Sequence, residues 1–182
     1  MKTATKLSLI NGFLLMGLFL LEYTGMFNFS LIFPYKWHKL LHILGAAVFM
    51  GNMIVGPVWF FFAYYSQSRE ILQFSDKLLR LTDMYITLPG LDLAVVNGLF
   101  LASVFGGMVS QPWLLYSLVG MVIMWVLTFP LLYIQEKIYR TIEQEPDNRV
   151  TLRKWIIRWS VWGTIVMIPP SVIFYLMVMK GW

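Results

Sequence analysis

The chain has two histidines, His38 and His42, four residues apart at the start of a long apolar stretch. Residues four apart lie on the same face of a helix, one turn from each other. Imidazole is the commonest metal ligand among side chains and also ligates haem, and an ionisable group inside a bilayer marks a functional site by default. The pair is therefore the first candidate for a cofactor or metal site.

Helix geometry limits what this pair can bind. Two histidines on consecutive turns can bind one metal ion from the same side, as they do in zinc sites. They cannot be the two opposed axial ligands of one haem, because both rings leave the same helix face. A haem would take one histidine. His42 is preferred over His38 because it lies about 6 Å deeper along the helix.

Other polar residues in apolar segments could join this site. Glu22 falls at a depth similar to that of the histidines, and Asp92 lies near the middle of a later span. Thioether and imidazole ligands together suit Cu(I), and four methionines are expected near the same side of the membrane: Met26, Met108, Met177 and Met179. Two structural interpretations stay open, in which His38 is an interfacial anchor and His42 makes a helix-to-helix hydrogen bond.

The elements that must position these residues are membrane-spanning helices. Hydrophobic residues make up 59% of the chain and charged residues 13%, and the apolar runs are too long for the strands of a membrane barrel. We predict an all-α, polytopic membrane protein with a single membrane domain over residues 1–182. The first span is expected to be a retained helix, not a cleaved signal peptide. The predicted spans are 7–27, 36–65, 83–106, 112–134 and 155–178.

The basic residues predict the orientation of these spans. In a five-span topology most Lys and Arg residues fall on one side, and the exceptions are Lys36, Lys39 and Lys180. The positive-inside rule then places the N-terminus in the cytoplasm and the C-terminus outside. Topology and anionic lipid headgroups account for the net charge of +5, so nucleic acid is not expected as a partner.

The segments between spans also carry predictions. The leucine spacing in Ser66–Thr82 predicts an amphipathic helix lying in the cytoplasmic interface. The polar stretch Gln135–Arg153 is predicted to be the largest solvated loop.

Small and amide residues inside the spans predict how the helices pack. Asn52 and Asn97 are expected to join helices by hydrogen bonds, and Gly45 and Gly51 to be close-packing positions. Glycine-rich helix faces also permit a homodimer.

The run from Leu41 to Asn52 resembles the first core helix of the CopD-like superfamily of small bacterial membrane proteins. Asp83, residues 88–90 and residues 97–102 further resemble a family of predicted integral membrane proteins within it. The resemblance covers residues 36–125. It implies a four-helix bundle built from the second to fifth spans, an added first span, and a place in the bacterial inner membrane.

The resemblance also implies a role for His42. The superfamily includes copper-resistance membrane proteins and the haem-containing protoporphyrinogen oxidase of bacteria, and His42 matches the histidine that ligates haem in the oxidase. That oxidase carries a lysine and a second histidine in its third core helix. This chain has Ser117 near the position of the lysine and no histidine after His42. These departures argue against the oxidase activity.

Three functions remain open, and the sequence does not decide whether the protein is an enzyme. In the first, His42 ligates haem b and the protein exchanges electrons with a quinone or another redox partner, while His38 and Glu22 tune the haem or hold a propionate. In the second, His38, His42 and Glu22 bind copper together with methionines. In the third, the protein is an accessory membrane subunit with structural histidines.

Overall fold

The computed structural model describes residues 2–145 and 148–179, and the side chains from Lys6 onward within those ranges. Lys180, used above for the orientation, lies outside the described residues. The described part is helical almost throughout and contains no strand. Its helices are α1 (Lys2–Tyr23), α2 (Tyr35–Tyr65), α3 (Arg69–Thr82), α4 (Leu88–Ala102), α5 (Pro112–Gln144) and α6 (Arg149–Met179), with a π-helical turn at Asp83–Thr87 and a 3₁₀ turn at Ser103–Phe105.

The prediction of an all-α protein with five helices able to cross a membrane is confirmed. Five helical segments are long and apolar enough to cross a membrane, and α3, the π-helical turn and α4 form one of them. Their outward faces carry large exposed apolar side chains along their whole length, as a lipid-facing surface requires. The segments are Lys6–Tyr23, Tyr35–Tyr65, Arg69–Phe105, Pro112–Gln144 and Arg149–Met179.

The predicted four-helix core is present, as two helix pairs. Helix α2 packs along α4, and α5 packs along α6. The two pairs meet in a shared core, where Phe49 contacts Met124 and Val166 and Phe60 stacks edge-on against Trp159 at 5.2 Å. We call the end where α2 and α5 finish and α3 and α6 begin the basic end, and the opposite end the histidine end.

Helix α1 packs outside this core, against α4 and α5. Its docking point is Gly12, where an added Cβ would overlap the indole of Trp125. That indole is held between Phe13 at 4.9 Å and Phe129 at 4.8 Å, so it has little room to move. The absence of a side chain at Gly12 therefore sets the distance between α1 and α5.

A Gly12→Leu variant is expected to push α1 away from α5 at a cost of about 1–3 kcal/mol, the usual range for overpacking. Because the chain has no cysteine, disulfide cross-linking between single cysteines introduced into α1 and α5 measures this contact directly. Gly17→Leu is the matched control, since nothing lies within 4 Å of a Cβ at Gly17. Equal cross-linking in the two variants would contradict the docking role of Gly12.

The segment Ser66–Thr82 is helical as predicted, and protein covers part of its apolar face. Helix α3 runs through the π-helical turn into α4 and packs on α2 and α5. Leu72 and Leu79 are buried there in a core that includes Phe60 and Ile138. An amphipathic pattern shows that one face is apolar, but it does not show whether lipid or protein covers that face.

The prediction that Gln135–Arg153 forms a large solvated loop is wrong. Helix α5 continues to Gln144 and α6 begins at Arg149, and Pro146 and Asp147 between them lie outside the described residues. Buried Ile138 and Ile142 give this polar stretch one apolar face at helical spacing. A pair four residues apart supports the helix as well, since Arg140 Nε lies 2.7 Å from Glu136 Oε1.

Candidate functional site

The polar residues singled out above lie mostly along one contact, between α2 and α4. The two helices run antiparallel and approach most closely where Gly45 meets Gly90 and Ala94. A Cβ on Gly45 would lie 2.5 Å from the Ala94 nitrogen and 2.7 Å from the Gly90 oxygen. Backbone therefore lies against backbone at this crossing, which confirms the close-packing role of Gly45. Gly51 is different, because nothing lies within 4 Å of its added Cβ.

His38 lies on this contact at the histidine end and is 1% exposed. Its Nε2 accepts hydrogen bonds from the backbone N–H groups of Ile32 at 3.3 Å and Phe33 at 3.2 Å. Its Nδ1 lies 2.8 Å from Asn97 Oδ1, so Nδ1 carries the proton and the ring is neutral. Both nitrogens are thereby used within the protein. His38 holds the α1–α2 connection against α4.

Aromatic rings close around His38. The Phe100 ring lies 4.8 Å from the imidazole and the Phe33 ring 5.7 Å from it, measured between centroids. Phe29 packs edge-on against Phe100 at 5.4 Å. The interfacial anchor expected as one interpretation of His38 is therefore wrong, since the ring lies inside the protein and not among headgroups.

His42 lies one turn further along α2. Its Nδ1 is 2.6 Å from the carbonyl oxygen of Ala94, so the helix-to-helix hydrogen bond expected for this residue is present. Because a carbonyl oxygen only accepts, Nδ1 donates and Nε2 carries the ring's lone pair in the neutral form. A Cβ on Gly98 would lie 3.2 Å from the ring, so glycine lets the imidazole lie flat against α4.

A methionine-rich core lies further along the face of α2 that carries His42. Phe49 lies seven residues further on, two turns along that face. It is buried against Met124 of α5 and Val166 of α6, with Met50, Met53 and Met121 packed around them. His42 itself is partly buried, and its ring lies against α4 beside Ala94 and Gly98.

Glu22 joins α1 to the connection between α4 and α5. Its Oε1 accepts a hydrogen bond of 2.7 Å from the backbone N–H of Met108, in the connection between α4 and α5. Gly107 lies beside it with a φ of +101°, and an added Cβ there would be 2.7 Å from the same oxygen. Among the described residues, no three His, Asp or Glu side chains are grouped as a metal site needs. The structure does not bring Glu22, His38 and His42 together.

Asp92 points away from the histidines, towards α1. The Asn11 side chain is its hydrogen-bonding neighbour, although Asp92 Oδ1 and Asn11 Nδ2 lack a bond of standard geometry. The pair joins α1 to α4 at mid-span.

A polar cluster that the motif analysis did not identify as a site lies nearer the basic end. Asn52 Nδ2 donates to Thr87 Oγ1 at 2.7 Å and to Asp83 Oδ1 at 3.4 Å, and Thr87 Oγ1 lies 3.2 Å from the same carboxylate oxygen. The side chain of Gln135 of α5 lies near the same carboxylate. Asp83 and Thr87 are the first and last residues of the π-helical turn. Such turns often occur at functional positions. The signals in the sequence were Asn52, expected to join helices, and Asp83, which is part of the family resemblance.

Residues 36–181 match the model of a family described as predicted integral membrane protein (DUF2269). The chain belongs to this family. No curated protein and no solved structure matches the chain significantly. Membership and the five long apolar helices together make this a multi-pass integral membrane protein.

The part shared with the DUF2269 family contains the whole α2–α4 contact, including both histidines, Asn52, Asp83 and Asn97. Helix α1 lies before the first matched residue, in agreement with its position outside the four-helix core. The matched residues therefore include both helix pairs and the residues that make the polar contacts between α2 and α4.

Proposed function

We propose that this protein binds haem b with His42 as an axial ligand and transfers electrons within the membrane. The observation that carries the proposal is the 2.6 Å contact between His42 Nδ1 and the Ala94 carbonyl. A ligating histidine almost always donates its other ring N–H to a carbonyl or carboxylate, which fixes the tautomer and the ring orientation. The α4 backbone provides this contact for His42, and in the tautomer that it fixes Nε2 would be the ligating atom.

The donor set fits one histidine ligand. His38 is excluded as the second ligand, because its Nδ1 and Nε2 are both used in hydrogen bonds. A second ligand would come from a methionine of the core around Phe49, such as Met121, since thioethers ligate haem in some cytochromes. Lys39, exposed one turn nearer the membrane surface, would pair with a propionate. When bound, the haem supplies reversible one-electron transfer.

The remaining residues orient the ligand and exclude water. The Ala94 carbonyl prevents the imidazole from turning about its χ angles, and Gly98 provides the space for it. The apolar core around Phe49, two turns further along the same face of α2, would limit the access of water from that direction. Second-sphere hydrogen bonds and burial of this kind set the reduction potential of a haem.

The resemblance of residues 41–52 to the CopD-like superfamily supports the same assignment, since His42 matches its haem-ligating histidine. A quinone in the bilayer is the proposed electron partner. We also propose the bacterial inner membrane as the location, with the basic end in the cytoplasm. Arg69, Arg149 and Arg153 at that end support this orientation under the positive-inside rule.

Absorption spectroscopy of the protein, purified in mild detergent after haem-supplemented expression, tests the haem assignment. The wild-type protein is expected to show a Soret band. His42→Gln is expected to lose it, because glutamine can still donate to the Ala94 carbonyl but does not ligate haem iron. His38→Gln, the matched control one turn away, is expected to keep the band. Absence of a Soret band in the wild type overturns the proposal.

Chemical rescue separates a ligand from a packing residue. His42→Gly leaves a space the size of an imidazole, and free imidazole added to this variant is expected to restore the Soret band. A purely structural histidine would give no such spectral recovery.

Copper binding is the second candidate, and the methionine-rich interior favours it. Met50, Met53, Met121 and Met124 all pack in the core around Phe49, two turns along α2 from His42, and thioether with imidazole is a ligand set for Cu(I). Met26 and Met179, two of the methionines expected near the site, are largely exposed. Copper found by elemental analysis in a protein without a Soret band, and lost in His42→Gln, would favour this function.

A further inference from the structure

A cavity of about 550 Å³ opens at the basic end, far along α2 from the histidines. It lies where α2 finishes, α3 begins, α5 finishes and α6 begins. Three arginines line it: Arg69 on α3, and Arg149 and Arg153 on α6. Nothing in the haem proposal uses this cavity.

The electrostatics of the cavity favour an anion. Its lining contains three guanidinium groups and, among the described residues, no carboxylate. The ion pairs of the described residues lie elsewhere, at Arg80–Asp76 and Arg140–Glu136. Helices α3 and α6 begin at the cavity while α2 and α5 end there, so the helix dipoles largely cancel and the arginines carry the positive charge.

The hydrogen bonds around the cavity hold its polar part in place. Arg149 Nη2 donates to the Gln67 carbonyl oxygen at 3.1 Å, which fixes that side chain across the α2–α3 connection. Ser68 caps α3, since its Oγ accepts a hydrogen bond from the Ile71 N–H. The remaining guanidinium donors of Arg149 can therefore face a ligand without a large loss of side-chain freedom.

The other half of the cavity is apolar and open to the bilayer. It continues along α6 from Arg153 to Ile157 and Val161, which lie about 6 and 12 Å further down the helix. Both side chains are more than half exposed. Phe61 of α2 forms the facing wall. A ligand that fills the cavity must carry an anionic group at one end and a hydrocarbon chain at the other.

We propose that this cavity binds an anionic phospholipid, with its phosphate between Arg69, Arg149 and Arg153 and one acyl chain along Ile157 and Val161. Basic pockets between membrane helices bind anionic lipid headgroups in this way. A free inorganic phosphate shares the headgroup chemistry but makes no use of the apolar half. A phospholipid and free inorganic phosphate are therefore distinguished by whether the apolar half of the cavity contributes to binding.

Competition for a fluorescent-labelled phosphatidylglycerol in phosphatidylcholine nanodiscs tests the site. The wild type is expected to bind unlabelled phosphatidylglycerol about tenfold more tightly than phosphatidylcholine with the same acyl chains, with a preference that weakens as salt is raised. The triple variant Arg69→Gln, Arg149→Gln, Arg153→Gln is expected to show less than about a twofold preference. Inorganic phosphate at millimolar concentration is expected not to displace the labelled lipid.

The matched control removes the same charge from residues that do not line the cavity: Lys77→Gln, Arg140→Gln, Arg158→Gln. It is expected to keep the tenfold preference. Equal loss in both triple variants would mean that only total charge matters, and would overturn the site. Displacement by inorganic phosphate would overturn the lipid assignment. Circular dichroism in phosphatidylcholine nanodiscs checks folding, and the corresponding three Arg→Lys changes, which keep the charge, give a second variant that is expected to bind at intermediate strength.

Discussion

A Gly45→Val variant is expected to lose the α2–α4 pair and to be destabilised by about 3 kcal/mol or more. The valine Cβ would meet the Ala94 nitrogen and the Gly90 oxygen at 2.5 and 2.7 Å. Both are backbone atoms of a helix, so they cannot turn aside as a flexible side chain would. The two helices must separate, and the His42–Ala94 contact must break with them.

Thermal unfolding in detergent, followed by circular dichroism, measures this effect. Gly51→Val is the control, because Gly51 lies on the same helix with nothing within 4 Å of its added Cβ. We expect the control to melt within a few degrees of the wild type. Similar melting temperatures for the two variants would show that the close approach at Gly45 is not required. Loss of the Soret band in Gly45→Val alone would link the crossing to the orientation of His42.

The second large effect is expected for His38→Ala, at about 2–4 kcal/mol. The change empties the space of a side chain that is 1% exposed. It also removes the partner of Asn97 Oδ1 and of the Ile32 and Phe33 N–H groups. The α1–α2 connection should then open, because these bonds hold it against α4.

Limited proteolysis of the connection between α1 and α2, together with the melting temperature, measures this. Trp37→Ala is the control, since Trp37 is the neighbouring residue but is 52% exposed. Asn97→Ala is expected to give a smaller loss than His38→Ala. In the double variant the two losses should not add, because they remove the same hydrogen bond. Unchanged proteolysis in His38→Ala would contradict the anchoring role.

The spans could be predicted from the sequence because the length of an apolar run and the bilayer thickness decide them. The roles of Asn52, Asn97 and Gly45 were predictable for a related reason, since amide and small residues inside a span must face another helix. Gly51 shows where this argument fails. A missing side chain permits a close approach but does not create one, and the partner of Gly51 depends on how the helices are placed.

The different tasks of His38 and His42 were harder to predict. Depth and helix geometry favoured His42, but nothing in the side-chain pattern indicated that His38 would bind backbone N–H groups. Every connection contains such groups, and only the folded chain shows which of them lack another partner. Glu22 was expected at the histidines for its depth alone. Its carboxylate instead binds the Met108 N–H, since depth gives no direction around the helix axis.

The contacts between α2 and α4 have a mechanical consequence. His38 with Asn97, Gly45 with Gly90, and Asn52 with Thr87 are all satisfied in one alignment of the two helices, and a slide of one turn would break every one of them. The opposite pair is tied as well, by Trp162 Nε1 and the Leu127 oxygen at 2.8 Å. The two helix pairs meet at a core of methionine and aromatic side chains. Flexible methionine side chains can exchange contacts at a low energetic cost. Any movement of one helix pair relative to the other would therefore take place at this methionine-rich core.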